Sequence, residues 1–121
     1  MSTVLIVEDN ELNRRLFSDL LNAKGHRVLE ALDGAGALSL VRQEKPDLVL
    51  MDIQLPTISG LEVTRQIRQM TDIPQPRIVA VSAFALKQDA DKALAAGCDD
   101  YISKPIAIAS FFATIDKNLK P

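Results

Sequence analysis

"DLVLMDIQLPTISG", residues 47 to 60, decides how the rest of the chain is read. It begins as an apolar run without polar alternation, the pattern of a strand covered by helices on both faces, and it places an aspartate, Asp52, where the run stops. "TVLIV" (3 to 7) and "RIVAVS" (77 to 82) repeat the pattern. "HRVLEA" (26 to 31) and "DDYIS" (99 to 103) are more polar and suit the edges of a sheet.

Helical stripes separate these five runs. Asn10 is placed to cap a segment with Leu12, Leu16, Leu20 and Leu21 at helical spacing, closed by Gly25. Asp33 is placed to cap a second helix carrying Ala37, Leu40 and Val41, which must end before Pro46. A third stripe runs through Leu61, Val63, Ile67 and Met70 to the breakers Pro74 and Pro76. The fourth is expected from about Leu86 to Ala96, stopping at Gly97, and the fifth through Ile108, Phe112, Ile115 and Leu119. Strictly alternating strands and helices predict a single-domain α/β fold, a (βα)5 doubly wound parallel sheet with right-handed crossovers. Ligands of such sheets lie at the carboxyl ends of the strands.

Composition is consistent with one domain and excludes several function classes. The 121 residues are 47% hydrophobic, enough for a core without staples. The one cysteine, Cys98, cannot form an internal disulfide and reads as a small buried hydrophobe. Fourteen basic against sixteen acidic residues give a net charge of -2 with no basic block, so no nucleic-acid footprint is expected. There is no signal-peptide pattern and no apolar stretch of the roughly 20 residues that membrane insertion requires, which points to the cytoplasm.

Read in order, the strand ends supply Glu8 and Asp9, then Asp52, then Ser82 and Ala83, then Lys104 and Pro105. Taken singly, each acid is an ordinary helix cap, Ser82 a turn residue and Lys104 a solvated surface lysine. Together they put three carboxylates, a hydroxyl and an ammonium on one rim. Three anions so close repel one another unless a cation compensates, and one lysine is too little. An all-oxygen cluster of this kind suits hard Mg²⁺, or Mn²⁺ in its place, with waters kept for a phosphate-bearing substrate.

"VLIVEDN" (4 to 10), "DLVLMDIQLPTISGLEV" (47 to 63), "VAVSA" (79 to 83) and "YISKPI" (101 to 106) resemble the signature blocks of the receiver domain of two-component response regulators. The blocks cover essentially the whole chain, in order. Within that family the chain resembles DivK-type single-domain regulators of the cell cycle, and "VEDNELNRRL" is also similar to receivers attached to hybrid histidine kinases. The resemblance implies strand order 2-1-3-4-5 and a receiver spanning residues 1–121. Only "KNLKP" follows the fifth helix, so no output domain is expected and signals would leave through a partner, unless the chain is a receiver excised from a hybrid kinase.

Site roles also follow from the resemblance. Asp52 would be the phosphoacceptor, taking a phosphoryl group from a histidine kinase or histidine phosphotransferase. Asp9, Asp52 and the backbone carbonyl of Gln54 would ligate the metal, with Glu8 acting through a bound water. Lys104 would contact the phosphoryl group, and its bond to Pro105 would be cis. Ser82 would donate its hydroxyl to a phosphoryl oxygen and, with Tyr101, form the switch. Output would use the face of helix 4, strand 5 and helix 5, where Tyr101, Phe111, Ala93 and Ala113 would border a patch. A haloacid-dehalogenase-type phosphatase would share the strand-end aspartate, the metal and the lysine, but it needs a second acid two residues on, where this chain has Gln54. A degenerate receiver that binds without phosphorylation usually lacks one of the acids or the lysine, and all are present here.

Overall fold

The structure, a computed structural model, describes residues 2–83 and 87–119. Ten elements alternate: β1 (Thr3–Val7), α1 (Glu11–Ala23), β2 (Arg27–Ala31), α2 (Gly34–Glu44), β3 (Leu48–Asp52), α3 (Gly60–Arg68), β4 (Arg77–Ser82), α4 (Lys87–Ala96), β5 (Asp100–Ser103) and α5 (Ile108–Leu119). All strand pairs are parallel and the sheet order is β2-β1-β3-β4-β5, so the two polar runs do form its edges.

The three central strands owe their unbroken apolar runs to cover on both faces. Leu5, Val7, Val49, Met51, Ile78 and Ala80 point to one face, where Ala37, Val41, Val63, Ile67 and Ala93 of α2, α3 and α4 pack. Val4, Ile6, Leu48, Leu50, Val79 and Val81 point to the other, against Phe17 and Leu21 of α1 and Phe111 and Ile115 of α5. Cys98 is buried in the first cluster, as the sequence suggested.

Helix ends follow local chemistry. The side chains of Asn10, Asp33 and Ser59 accept from the backbone N–H groups of Asn13, Gly36 and Glu62 and so cap α1, α2 and α3. Lys45, in the left-handed region at φ 47°, ends α2 just before Pro46, and Gly97 at φ +115° ends α4.

Three sequence expectations need correction. Leu12 and Leu16 are 77% and 41% exposed, because the sheet covers the adjacent part of α1, at Phe17 and Leu21. On α5, Ile108 is 55% exposed and the buried face runs through Phe111, Ile115 and Asn118. Phe111 stacks on Phe17 with ring centroids 5.7 Å apart, and Ala93 is fully buried, so neither can border a surface patch. Tyr101 and Ala113 are exposed. The expected start of the fourth helix at Leu86 lies outside the described residues.

Candidate functional site

The β1–α1 connection carries the first two acids. β1 stays in register with β2 one residue past its end, Glu8 N–H donating to Ala31 carbonyl at 3.1 Å, before the chain turns into α1. Glu8 is thereby drawn into the core side of the rim, 1% exposed, and Asp9 stays in solvent. Arg14, one turn into α1, reaches back to donate from Nη1 to the Glu8 carbonyl at 3.1 Å.

Asp52 ends β3 and is 4% exposed. Its Oδ1 accepts from the backbone N–H of Gln54 at 2.9 Å. The loop then folds back tightly, Gly60 N–H donating to Ile53 carbonyl at 2.8 Å. A Cβ at position 60 would lie 2.1 Å from the Asp52 carbonyl oxygen, so only glycine lets α3 start against the end of β3.

The other two strand ends complete the rim. Ser82 ends β4, nine-tenths buried, and its carbonyl accepts from Lys104 N–H at 2.8 Å. The Lys104–Pro105 peptide is cis. Lys104 Nζ lies 3.0 Å from Glu8 Oε1 and 3.4 Å from Asp52 Oδ2. Carboxylate oxygens of Glu8, Asp9 and Asp52 fall within 4.8 Å of one another.

Charge is unbalanced at this rim. Burial pushes the Glu8 carboxyl up, and the neighbouring Asp52 adds to the rise, while Lys104 offsets only part of it. Burial alone would lower the Lys104 ammonium, but its hydrogen bond to Glu8 and the charges of Asp52 and Glu8 outweigh that and raise it. Lys104 is therefore firmly cationic and still too little for three acids.

Glu8, Asp9, Asp52 and Lys104 are thus brought together as the sequence anticipated. Ser82 and Gln54 line one small cavity with Ile53, Leu61 and the α4 residues Asp89 and Lys92. Tyr101 lies on β5, 41% exposed. Arg14 was missed, because nothing in "NRRL" separates it from the adjacent Arg15.

Residues 4–116 match the family model described as the response regulator receiver domain. The chain belongs to that family. This receiver is 47% identical to the polar-differentiation response regulator DivK of Brucella anthropi, over 97% of its own length and 95% of the relative's. It is also similar to the receiver domain of sensor histidine kinase PA1611 from Pseudomonas aeruginosa, whose crystal structure has a magnesium ion coordinated in the active-site cleft. That likeness has a TM-score of 0.88 at 32% identity and covers 98% of this receiver and 97% of that chain. A third match is to the co-crystal structure of the Saccharomyces cerevisiae histidine phosphotransfer protein Ypd1 with the receiver domain of its downstream response regulator Ssk1. It has a TM-score of 0.87 at 31% identity and covers 96% and 87% of the two chains. The receiver is thus a DivK-type component of two-component signalling. No helix among its described residues is long and apolar enough to cross a membrane.

Proposed function

We propose that this receiver takes a phosphoryl group onto Asp52 from the phosphohistidine of a kinase or phosphotransfer protein, and that the acid cluster holds Mg²⁺ for the transfer. The observation that carries the reading is the convergence of Glu8, Asp9 and Asp52 within 4.8 Å beside a single lysine. The donor set fits the ion, since it is all oxygen and leaves negative charge in excess. Asp9, Asp52 and the Gln54 carbonyl would hold it directly and Glu8 through a water, with Mn²⁺ acceptable to the same ligands. A bound divalent cation would offset the charge that otherwise repels a phosphate-bearing donor.

The protein's own groups then have defined tasks. An Asp52 carboxylate oxygen forms the new bond to phosphorus as the phosphorus–nitrogen bond of the donor breaks, and the imidazole leaves with that electron pair. Lys104 turns from Glu8 and Asp52 to the phosphoryl oxygens, and the Ser82 hydroxyl donates to another. Phosphorylated Asp52 carries about -1.5 to -2 of charge in place of the single carboxylate charge, with new acceptor oxygens set further out, which favours a conformer with Ser82 drawn in and Tyr101 following. That conformer would present the α4, β5 and α5 face to a partner.

The Ypd1–Ssk1 match supports a phosphotransfer protein as donor, and the DivK match supports a cell-cycle role. The 95% coverage of that relative supports treating residues 1–121 as one receiver unit. Incubation with acetyl phosphate and Mg²⁺ should add one acid-stable, base-labile phosphoryl group by intact-mass spectrometry. Labelling of Asp52→Asn equal to that of the wild type would sink the assignment.

A further inference from the structure

Arg14 lies behind the β1–α1 loop, its side chain 17% exposed. Nη1 donates to the Glu8 carbonyl at 3.1 Å, while Nε meets Glu30 Oε1 of β2 at 3.2 Å. The guanidinium therefore clamps the loop to the neighbouring strand in a two-point fork.

The clamped oxygen matters because of what it shares. The Glu8 carbonyl and the Asp9 N–H belong to one planar peptide, so fixing that oxygen fixes the plane from which the Asp9 Cα and side chain depart. Glu8 is held independently, by burial, by Lys104 and through Oε2, which accepts from Asn10 N–H at 3.3 Å. Asp9 is exposed, and its direction depends on the backbone.

We propose that Arg14 is a positioning residue for the acidic loop, aiming the Asp9 carboxylate into the cluster by holding the Glu8–Asp9 peptide against β2. This rests on reading the cluster as a divalent-cation site. Positioning and simple electrostatics predict opposite signs. Removing a cation near three acids would by itself tighten Mg²⁺ binding, whereas loosening a ligand weakens it. Because Arg14 is paired with Glu30, its charge is largely offset and the positioning effect dominates.

Titration calorimetry with Mg²⁺ on folded protein at 25 °C and constant ionic strength tests this. Arg14→Gln should weaken Mg²⁺ binding by about tenfold, the scale of losing a partner that orients a ligand. Arg15→Ala makes the same charge change next door and should leave the affinity equal or slightly tighter. Glu30→Gln, which frees the far anchor of the fork, should weaken binding by a few-fold at most, but it also removes an anion, so the charge-conserving Arg14→Lys is the readout that decides if Arg14→Gln does not fold. Arg14→Lys keeps the charge without the fork, so affinity weakened on the scale expected of Arg14→Gln supports positioning, and wild-type affinity overturns it. Unchanged or tighter binding in both Arg14→Gln and Glu30→Gln, with Asp9→Ala impaired, overturns the role of Arg14 and leaves the metal site standing. A wild type that takes no Mg²⁺, or an Asp9→Ala variant that binds it undiminished, overturns both.

Discussion

At the amino ends of the strands, Asp99 accepts from Arg68 Nη2 at 2.9 Å, Arg77 Nη1 at 3.4 Å and the backbone N–H of Ile78 at 2.8 Å, whereas at the carboxyl ends Glu8, Asp9 and Asp52 gather around one lysine. Arg68 is as fully engaged as its partner, with Nε on the Gly97 carbonyl at 2.9 Å and Nη1 on the Pro76 carbonyl at 2.7 Å and on Gln75 Oε1 at 2.8 Å. That end is matched donor for acceptor and buckles α3 to the starts of β4 and β5. The other end carries surplus negative charge that leaves room for a cation, and there burial first and the neighbouring Asp52 next raise Glu8. A carboxylate beside a strand end is thus structural or functional according to its neighbours.

The comparison can be broken most forcefully at the buckle. Arg68→Ala strips donors from two carbonyls and from a partly buried carboxylate, and should cost about 2–3 kcal/mol in urea unfolding. Labelling of Asp52 by acetyl phosphate should persist in the folded variant at 25 °C. A stable variant, or one that is folded but unlabelled, would mean the two ends are not separate in role.

Asp52→Asn probes the opposite end and should have the opposite sign. In EDTA it removes one of two buried, mutually repelling acids and should stabilise the fold by about 1 kcal/mol, although a contact to Lys104 weakens. Millimolar Mg²⁺ should reverse the order, since only the wild type keeps the full ligand set and gains by mass action. Thermal melts in EDTA and in Mg²⁺ decide it, and a destabilised variant in EDTA would show that attraction to Lys104 outweighs the repulsion.

The smallest effect lies in the pH dependence of Glu8. Its folded pKa lies above the ordinary 4.5, so between those values the folded state keeps a proton that the unfolded chain has released. Stability in EDTA therefore falls as pH rises through that window, and the penalty is fully present above it. Glu8→Gln lacks this titration. Its advantage over the wild type should be greatest near neutral pH and shrink as pH falls toward 4.5, as measured by urea melts at stepped pH. A constant difference would return Glu8 to the ordinary carboxylate range.

Periodicity in the sequence established how many strands and helices there are and which strands lie inside, because an unbroken apolar run such as Val4–Val7 or Leu48–Met51 is tolerable only when both faces are covered. It also named Glu8, Asp9, Asp52, Ser82 and Lys104, because residues at successive strand ends of a parallel sheet must share one rim. Which part of a helix meets the sheet was not legible. Leu12 and Leu16 continue the apolar arc of α1, but the arc is wider than the strip the sheet covers, and docking selects Phe17 and Leu21. On α5 the same selection buries Phe111 and Asn118, whose amide can enter because its Nδ2 donates to Asp100 Oδ2 at 3.1 Å and to the Thr114 carbonyl at 2.8 Å. Thr64 is buried on α3 for a similar reason, its hydroxyl donating to the Gly60 carbonyl at 2.9 Å. Arg14 is the clearest case. A sequence carries the propensity and polarity of each residue, so it marks Arg14 and Arg15 alike. Only the packing of α1 on β1 and β2 points one guanidinium at the Glu8 carbonyl, because that bond joins groups whose approach is set by helix rotation.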